Sequence, residues 1–160
     1  NKRKREKIEN KIKEISQDIF DNFDQKVQLG ENDNHICHLI RNDLIDEFIS
    51  YVNQKSIYHS SKIEQSIFET NTYLLKNTPN LIEYSAFYGS VQVFKYLYLN
   101  GAELTPSLWL YSIHGKNPEI IQILVDNQIK PCDDTYSECF NESVKCNDIE
   151  ISEYILKKIN

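Results

Sequence analysis

The chain has 160 residues, 40% of them hydrophobic and 26% charged, enough for a sizeable core and too apolar for a disordered segment. Four glycines and four prolines are too few for the many tight turns of a sandwich or barrel, so an all-α fold is the expectation. The net charge of −6 is uneven: Lys2, Arg3, Lys4, Arg5, Lys7, Lys11 and Lys13 stand against only Glu6 and Glu9, a local +5 that leaves −11 on the rest of the chain. An acidic body repels phosphate, so nucleic acid is a disfavoured partner and would fall to that basic opening alone.

From the first residue to about residue 30, Ile8, Ile12, Ile15, Ile19 and Phe23 recur at steps of three and four. That spacing predicts an N-terminal amphipathic helix, ended by Gly30 and the polar cluster 31–34. The basic residues at its start are read as a solvated helix end, with a nuclear-targeting or anion-binding patch as the sharper alternative. Residues 31–57 read as a degenerate helix pair. Asn42-Asp43 supplies the cap of its second helix, and Leu44-Ile45 and Phe48-Ile49 its apolar pairs. The segment 58–79 is a connection, with 63–75 a mixed pattern that admits a helix.

Residues 80–160 repeat themselves. LIEYSAFYGSVQVFKYLYLNGA from Leu81 aligns with LWLYSIHGKNPEIIQILVDNQI from Leu108 at an offset of 27, and that string with CFNESVKCNDIEISEYILKKIN from Cys139 at 31. Ile82, Trp109 and Phe140 then share a position. So do Val93, Ile120 and Ile151, and Leu97, Leu124 and Ile155. Self-similarity at this period marks a repeat array. Each unit predicts two short helices, a small residue in the first (Ser85, Ser112, Ser143), a cap on the second (Ser90, Asn117 before Pro118, Asp148) and, in the first copy, a left-handed stop at Asn100-Gly101.

The run from Asn80 to Ala102 resembles an ankyrin repeat, with Ile82, Ala86, Gly89, Leu97, Gly101 and Ala102 at matching places. Glu83 replaces the motif histidine, the Thr78-Pro79 and Thr105-Pro106 pairs fall two residues early, and the spacing of 27 implies a shortened hairpin. Strings such as LIRNDLIDEFISYVN, TPSLWLYSIHGKNPEIIQIL and TYSECFNESVKCNDIEISEYI make nearly the whole chain similar to a large, functionally unassigned group of ankyrin-repeat proteins expanded in parasitic protists. The resemblance implies an ankyrin-like helical-repeat solenoid of degenerate repeats, a role in protein binding, and further repeats beyond Asn160. A start at Asn1 rather than Met fits a fragment of a longer array.

Candidate chemistry is thin. His35, Cys37 and His38 form a compact H-x-C-H, but no second cluster answers it at zinc-finger spacing, so Cys37 is read as the small residue of its helix. Cys132, Cys139 and Cys146 recur every seven residues. Cys139 takes the apolar place of Leu81 and Leu108, Cys146 begins an inter-helix turn, and buried free thiols are the expectation. No nucleophile stands at a recognisable spacing from His114, and no metalloprotease, hydrolase or phosphate-loop motif occurs. The expectation is therefore no catalysis, no metal and no cofactor.

Tyr84, Phe87, Tyr88, Tyr111 and His114 remain as the candidate partner-binding set. In an ankyrin-like unit they fall on the exposed side of the first helix, lining the concave groove, where tyrosine offers contact area at low entropic cost. The function expected is a scaffold or adaptor binding an unidentified protein. The alternative is a regulatory or targeting segment whose basic N-terminal helix contacts nucleic acid or an anionic membrane. No apolar run is long enough for a membrane span. Without a signal peptide the expected compartment is the cytoplasm, with the nucleus second. A last repeat without a polar cap predicts exposed apolar surface open to self-association.

Overall fold

The computed structural model describes Asn10 and residues 22–159. Ile8, Ile12, Ile15, Ile19 and the basic opening lie outside the described residues. Helices are the regular elements among the described residues: a helical stretch at 22–29, then α1 (His35–Arg41), α2 (Ile45–Lys55), α3 (Thr72–Asn77), α4 (Leu81–Phe87), α5 (Val91–Leu99), α6 (Leu108–Gly115), α7 (Pro118–Asp126), α8 (Ser137–Lys145) and α9 (Ile149–Ile159). The fold is all-helical. Extended pairing among the described residues amounts to an isolated antiparallel bridge between Lys62 and Asn80.

The chain divides into two compact units. The described part of the first comprises 22–33 and 65–76. The stretch expected to be helical at 63–75 is helical only in α3. Polar side chains fix the turn that leads into it. The Glu69 carboxylate accepts from the N–H of Asn32 and of Asn71, and the Asn71 side chain accepts from the N–H of Tyr73 and of Leu74, capping α3. Phe23 meets the Phe68 ring edge-on at 5.3 Å, and Lys26 pairs with Asp33 at 2.7 Å.

The second unit comprises 34–64 and 77–160, so α1 and α2 fall in one unit with the later pairs, while residues 31–33 of the expected pair fall in the first. It holds four helical hairpins: α1–α2, α4–α5, α6–α7 and α8–α9. First helices pack on first helices (α1 on α4, α4 on α6, α6 on α8), and second helices on second helices (α2 on α5, α5 on α7). The hairpin turn recurs in all four, with one left-handed residue in each: Asp43, Gly89, Lys116 and Asn147, at φ 51°, 66°, 51° and 52°. In three of them the next N–H closes onto the carbonyl five residues back: Leu44 on Leu39, Ser90 on Ser85, Asp148 on Ser143. That register puts Leu39, not Cys37, at the place of the buried serines, because the left-handed residue of the first hairpin is Asp43.

Second helices end alike as well. Ile57, Ala102 and Ile129 donate to Val52, Leu97 and Leu124, each five residues back, after a left-handed Ser56, Gly101 or Gln128. This closure satisfies the carbonyls that the helix end leaves open. The positions matched in sequence hold the core. Val93, Ile120 and Ile151 are buried, Leu97, Leu124 and Ile155 are fully so, and Leu81, Leu108 and Cys139 form an equally closed row. Ser85, Ser112 and Ser143 are buried too. Their hydroxyls donate to carbonyls of their own helices, so the small side chain fits between packed helices without an unmet polar group.

Capping differs from expectation in the first two hairpins. Asn117 and Asp148 accept from Glu119 and Ile151 N–H and cap their own helices. Ser90 does not; its buried hydroxyl donates to the Ile40 carbonyl of the preceding hairpin. The free N–H groups of α5 are met instead by Asp43, whose two carboxylate oxygens accept from Gln92 and Val93 at 3.1 and 3.0 Å. The residue expected to cap α2 thus caps α5 and fastens two hairpins together. Glu83, the departure from the ankyrin motif, has a similar double role. It completes a capping box with Asn80 at the start of α4, and its other oxygen accepts from Ser107 just before α6 at 2.7 Å.

Two glycines set the closest approach between α4 and α6. A Cβ on Gly115 would stand 2.0 Å from the Ala86 carbonyl oxygen, and one on Gly89 2.5 Å from the Gly115 carbonyl oxygen. The Asn117 amide donates to the Gly89 carbonyl at 2.9 Å across the same junction. Trp109, 1% exposed, donates its indole N–H to the Ile129 carbonyl at 2.8 Å, which ties α6 to the chain beyond α7.

Candidate functional site

Counted from the shared turn, His38, Tyr84, Tyr111 and Glu142 occupy one position of the four first helices. Arg41, Phe87, His114 and Lys145 occupy a second, three residues on. Asn42, Tyr88, Gly115 and Cys146 follow directly. Across the last three hairpins the core positions keep their character, while these residues run from aromatic to charged, with Tyr84 and Tyr111 alike. They make a row of contacts across α1, α4, α6 and α8.

At the α1 end, the Arg41 guanidinium donates to the Tyr84 hydroxyl at 2.9 Å and lies 5.9 Å from the centre of the Tyr88 ring. Tyr84 and Tyr88 stand 4.8 Å apart, and Tyr88 meets the Phe87 edge at 5.1 Å. Phe87 stacks on the His114 imidazole at 4.7 Å with 28° between the planes. Beyond it, His114 Nε2 lies 3.0 Å from Glu142 Oε1, and Nδ1 lies 3.5 Å from Cys146 Sγ. Lys145 pairs with the other Glu142 oxygen at 2.8 Å.

The five residues expected to line an exposed groove do share this face, but three are not exposed. Tyr84, Phe87 and Tyr111 are 1%, 8% and 3% exposed. First helices pack directly on one another, so a bulky side chain at these positions is covered by the neighbouring hairpin. Burial pushes the Tyr84 phenol far above its ordinary value, with Arg41 pulling the other way. Tyr88 and His114 are half-buried and keep a surface. Arg41 joins them, a residue for which the repeat pattern gave no signal, because its hairpin is too degenerate to align by sequence.

His114 is not a lone ring. Burial pushes its imidazole below the ordinary value, and Glu142 opposes that. Burial likewise raises the Cys146 thiol, with the Glu142 charge adding to the rise. The residues of the H-x-C-H motif do not converge. Cys37 is buried, His35 stacks edge-on against Tyr51, and His38 Nδ1 is 3.2 Å from the Asn42 amide.

Apolar surface is exposed on the last hairpin, at Val144, Ile149 and Leu156. No described helix is long and apolar enough to cross a membrane. Comparison with protein-family models, with curated proteins and with solved structures gives no match to this chain.

Proposed function

We propose that the chain is an ankyrin-type helical-repeat solenoid and works by binding a partner protein through the face its first helices form. The observation that carries this reading is the row from Arg41 to Glu142. The last three hairpins keep one set of buried positions and vary the residues beside them along one continuous face. An array that stacks this way gains its stability from neighbours and leaves that face to recognition. Tyr88, Arg41 and His114 are the side chains placed to meet a partner. They combine aromatic area with a fixed cation, the residue types that dominate protein interfaces.

Capture from cytoplasmic extract tests the reading, with the natural chain as bait beside a Tyr88→Ala variant of matched helicity. A specific protein retained by the first and lost from the second supports the proposal. Capture of the same proteins by both baits overturns the assignment of this face. Binding only to polyanions, abolished by deleting residues 1–13 and by raised salt, would replace it with recognition by the basic opening.

A further inference from the structure

His114 ends α6, and Glu142 and Cys146 sit one helical turn apart on and just after α8. Residues four apart project from the same side of a helix, so two ligating side chains of one hairpin face a third from its neighbour. One ligand atom from each lies within 4.8 Å of the others. Among the described residues no other three His, Cys, Asp or Glu side chains meet this way. The set is held from outside as well: Phe87 stacks on the imidazole, and Lys145 holds one oxygen of the carboxylate.

We propose that His114, Glu142 and Cys146 form a binding site for a borderline-soft divalent transition-metal ion, Zn²⁺ in the first place, with water in the fourth position. A donor set of one nitrogen, one oxygen and one sulfur belongs to such an ion and not to Mg²⁺ or Ca²⁺, which take oxygen. Zinc bonds of ordinary length in a tetrahedron put ligand atoms about 3.2–3.6 Å apart. The 3.5 Å between His114 Nδ1 and Cys146 Sγ already has that spacing. One imidazole gives one nitrogen to one ion, so with Nδ1 on the metal the Glu142 carboxylate closes the set by rotating about its own side chain. Cys146 loses its proton to solvent when the ion binds. No electron transfer is involved. The bound ion bridges α6 and α8 and so fastens the last hairpin to the one before it. None of this depends on the identity of a protein partner.

The experiment uses the full chain without a purification tag, stripped of metal and kept reduced. It is titrated with Co²⁺ and then with Zn²⁺. The expected result is one ion per chain, with cobalt bands of tetrahedral intensity and a near-ultraviolet thiolate-to-cobalt band, all displaced by Zn²⁺. Cys132→Ser keeps the spectrum. Cys146→Ser loses the thiolate band, and Glu142→Gln and His114→Gln each weaken binding by at least about tenfold, since even outer-shell changes cost that much. Circular dichroism shows that the variants retain their helices, and Glu142→Gln alone decides the matter should Cys146→Ser fail to fold. A natural chain without the thiolate band, a band that survives Cys146→Ser, or equal affinity in the natural chain and the Glu142→Gln variant overturns the proposal.

Discussion

Gly115→Ala sets two physical effects against each other. Helix propensity favours alanine over glycine by up to about 1 kcal/mol, so the sequence alone predicts a mild gain at this last residue of α6. Packing predicts the opposite. The new Cβ would lie 2.0 Å from the Ala86 carbonyl oxygen and 2.7 Å from the Gly89 nitrogen. Both are backbone atoms and cannot swing aside, so α4 and α6 must separate. Overpacking of this kind costs about 1–3 kcal/mol. The Asn117-to-Gly89 hydrogen bond that spans the junction is worth about 1 kcal/mol more. Set against the helix gain, the net loss is about 2 kcal/mol. In urea the midpoint falls while the slope stays the same, and Tm drops by about 4–8 °C for a chain of this size. Gly89→Ala meets the same junction from the other side, so the double variant loses less than the sum of the singles. A neutral or stabilised Gly115→Ala protein would refute the close approach and with it the packing of the two hairpins.

Two further outcomes follow from the cysteines and from a carboxylate. In native, reduced protein an aromatic disulfide reagent titrates exposed Cys132 first and half-buried Cys146 more slowly. Cys37 and Cys139 react only on unfolding, since both are fully buried and burial pushes the Cys139 thiol up to about 12; fast reaction of all four would contradict the described core. Asp133 accepts from the N–H of Tyr136 and of Glu138 ahead of α8. Burial pushes its carboxyl up, but those bonds and the Thr135 hydroxyl outweigh burial and hold it below the ordinary aspartate value. A folded pKa below the unfolded one stabilises at pH above the unfolded value and is lost as pH falls through the folded one. Asp133→Ala should therefore lower stability by about 0.5–2 kcal/mol at pH 7, and the difference should shrink as acidification protonates the folded carboxyl. A deficit that persists unchanged in acid would show that the carboxylate charge is not its source.

The hairpins were legible where period and chemistry agreed. Leu97, Leu124 and Ile155 aligned by sequence and are all fully buried, at one register of their second helices. Asn117 and Asp148 were legible as caps because a local side-chain bond reads out in local sequence. Ser90 was misjudged for a related reason. Its hydroxyl serves the carbonyl of Ile40, fifty residues away, and Asp43 caps a helix nearly as distant. No window of sequence contains both partners of either bond. The stretch 63–75 gave a mixed pattern that admitted a helix, and only its end, in α3, is helical. Glu69 and Asn71 side chains shape the turn before α3 and cap it, a local start that apolar periodicity does not register.

The candidate site divides in the same way. Tyr84, Phe87, Tyr111 and His114 were found because they sit at fixed distances from the turn, and they do share a face. Their exposure was not legible, since it depends on how closely one first helix approaches the next, and Gly89 and Gly115 set that distance. The cluster at His114 was invisible for a stronger reason. Glu142 and Cys146 gave an unremarkable pair four residues apart, and their third member lies 28 and 32 positions earlier. Stacking two hairpins brings it to them. In the last three hairpins constancy at one register position builds the core, while variation at its neighbours decides what the face carries. Tyr84 and Tyr111 fill the same place that Glu142 takes in the last hairpin, and Phe87 the place of His114. The aromatic residues close the face by packing, whereas the carboxylate and imidazole at the same positions leave it polar. The same face therefore presents a cation beside aromatic rings at Arg41 and Tyr88 and a His–Glu–Cys cluster at its other end.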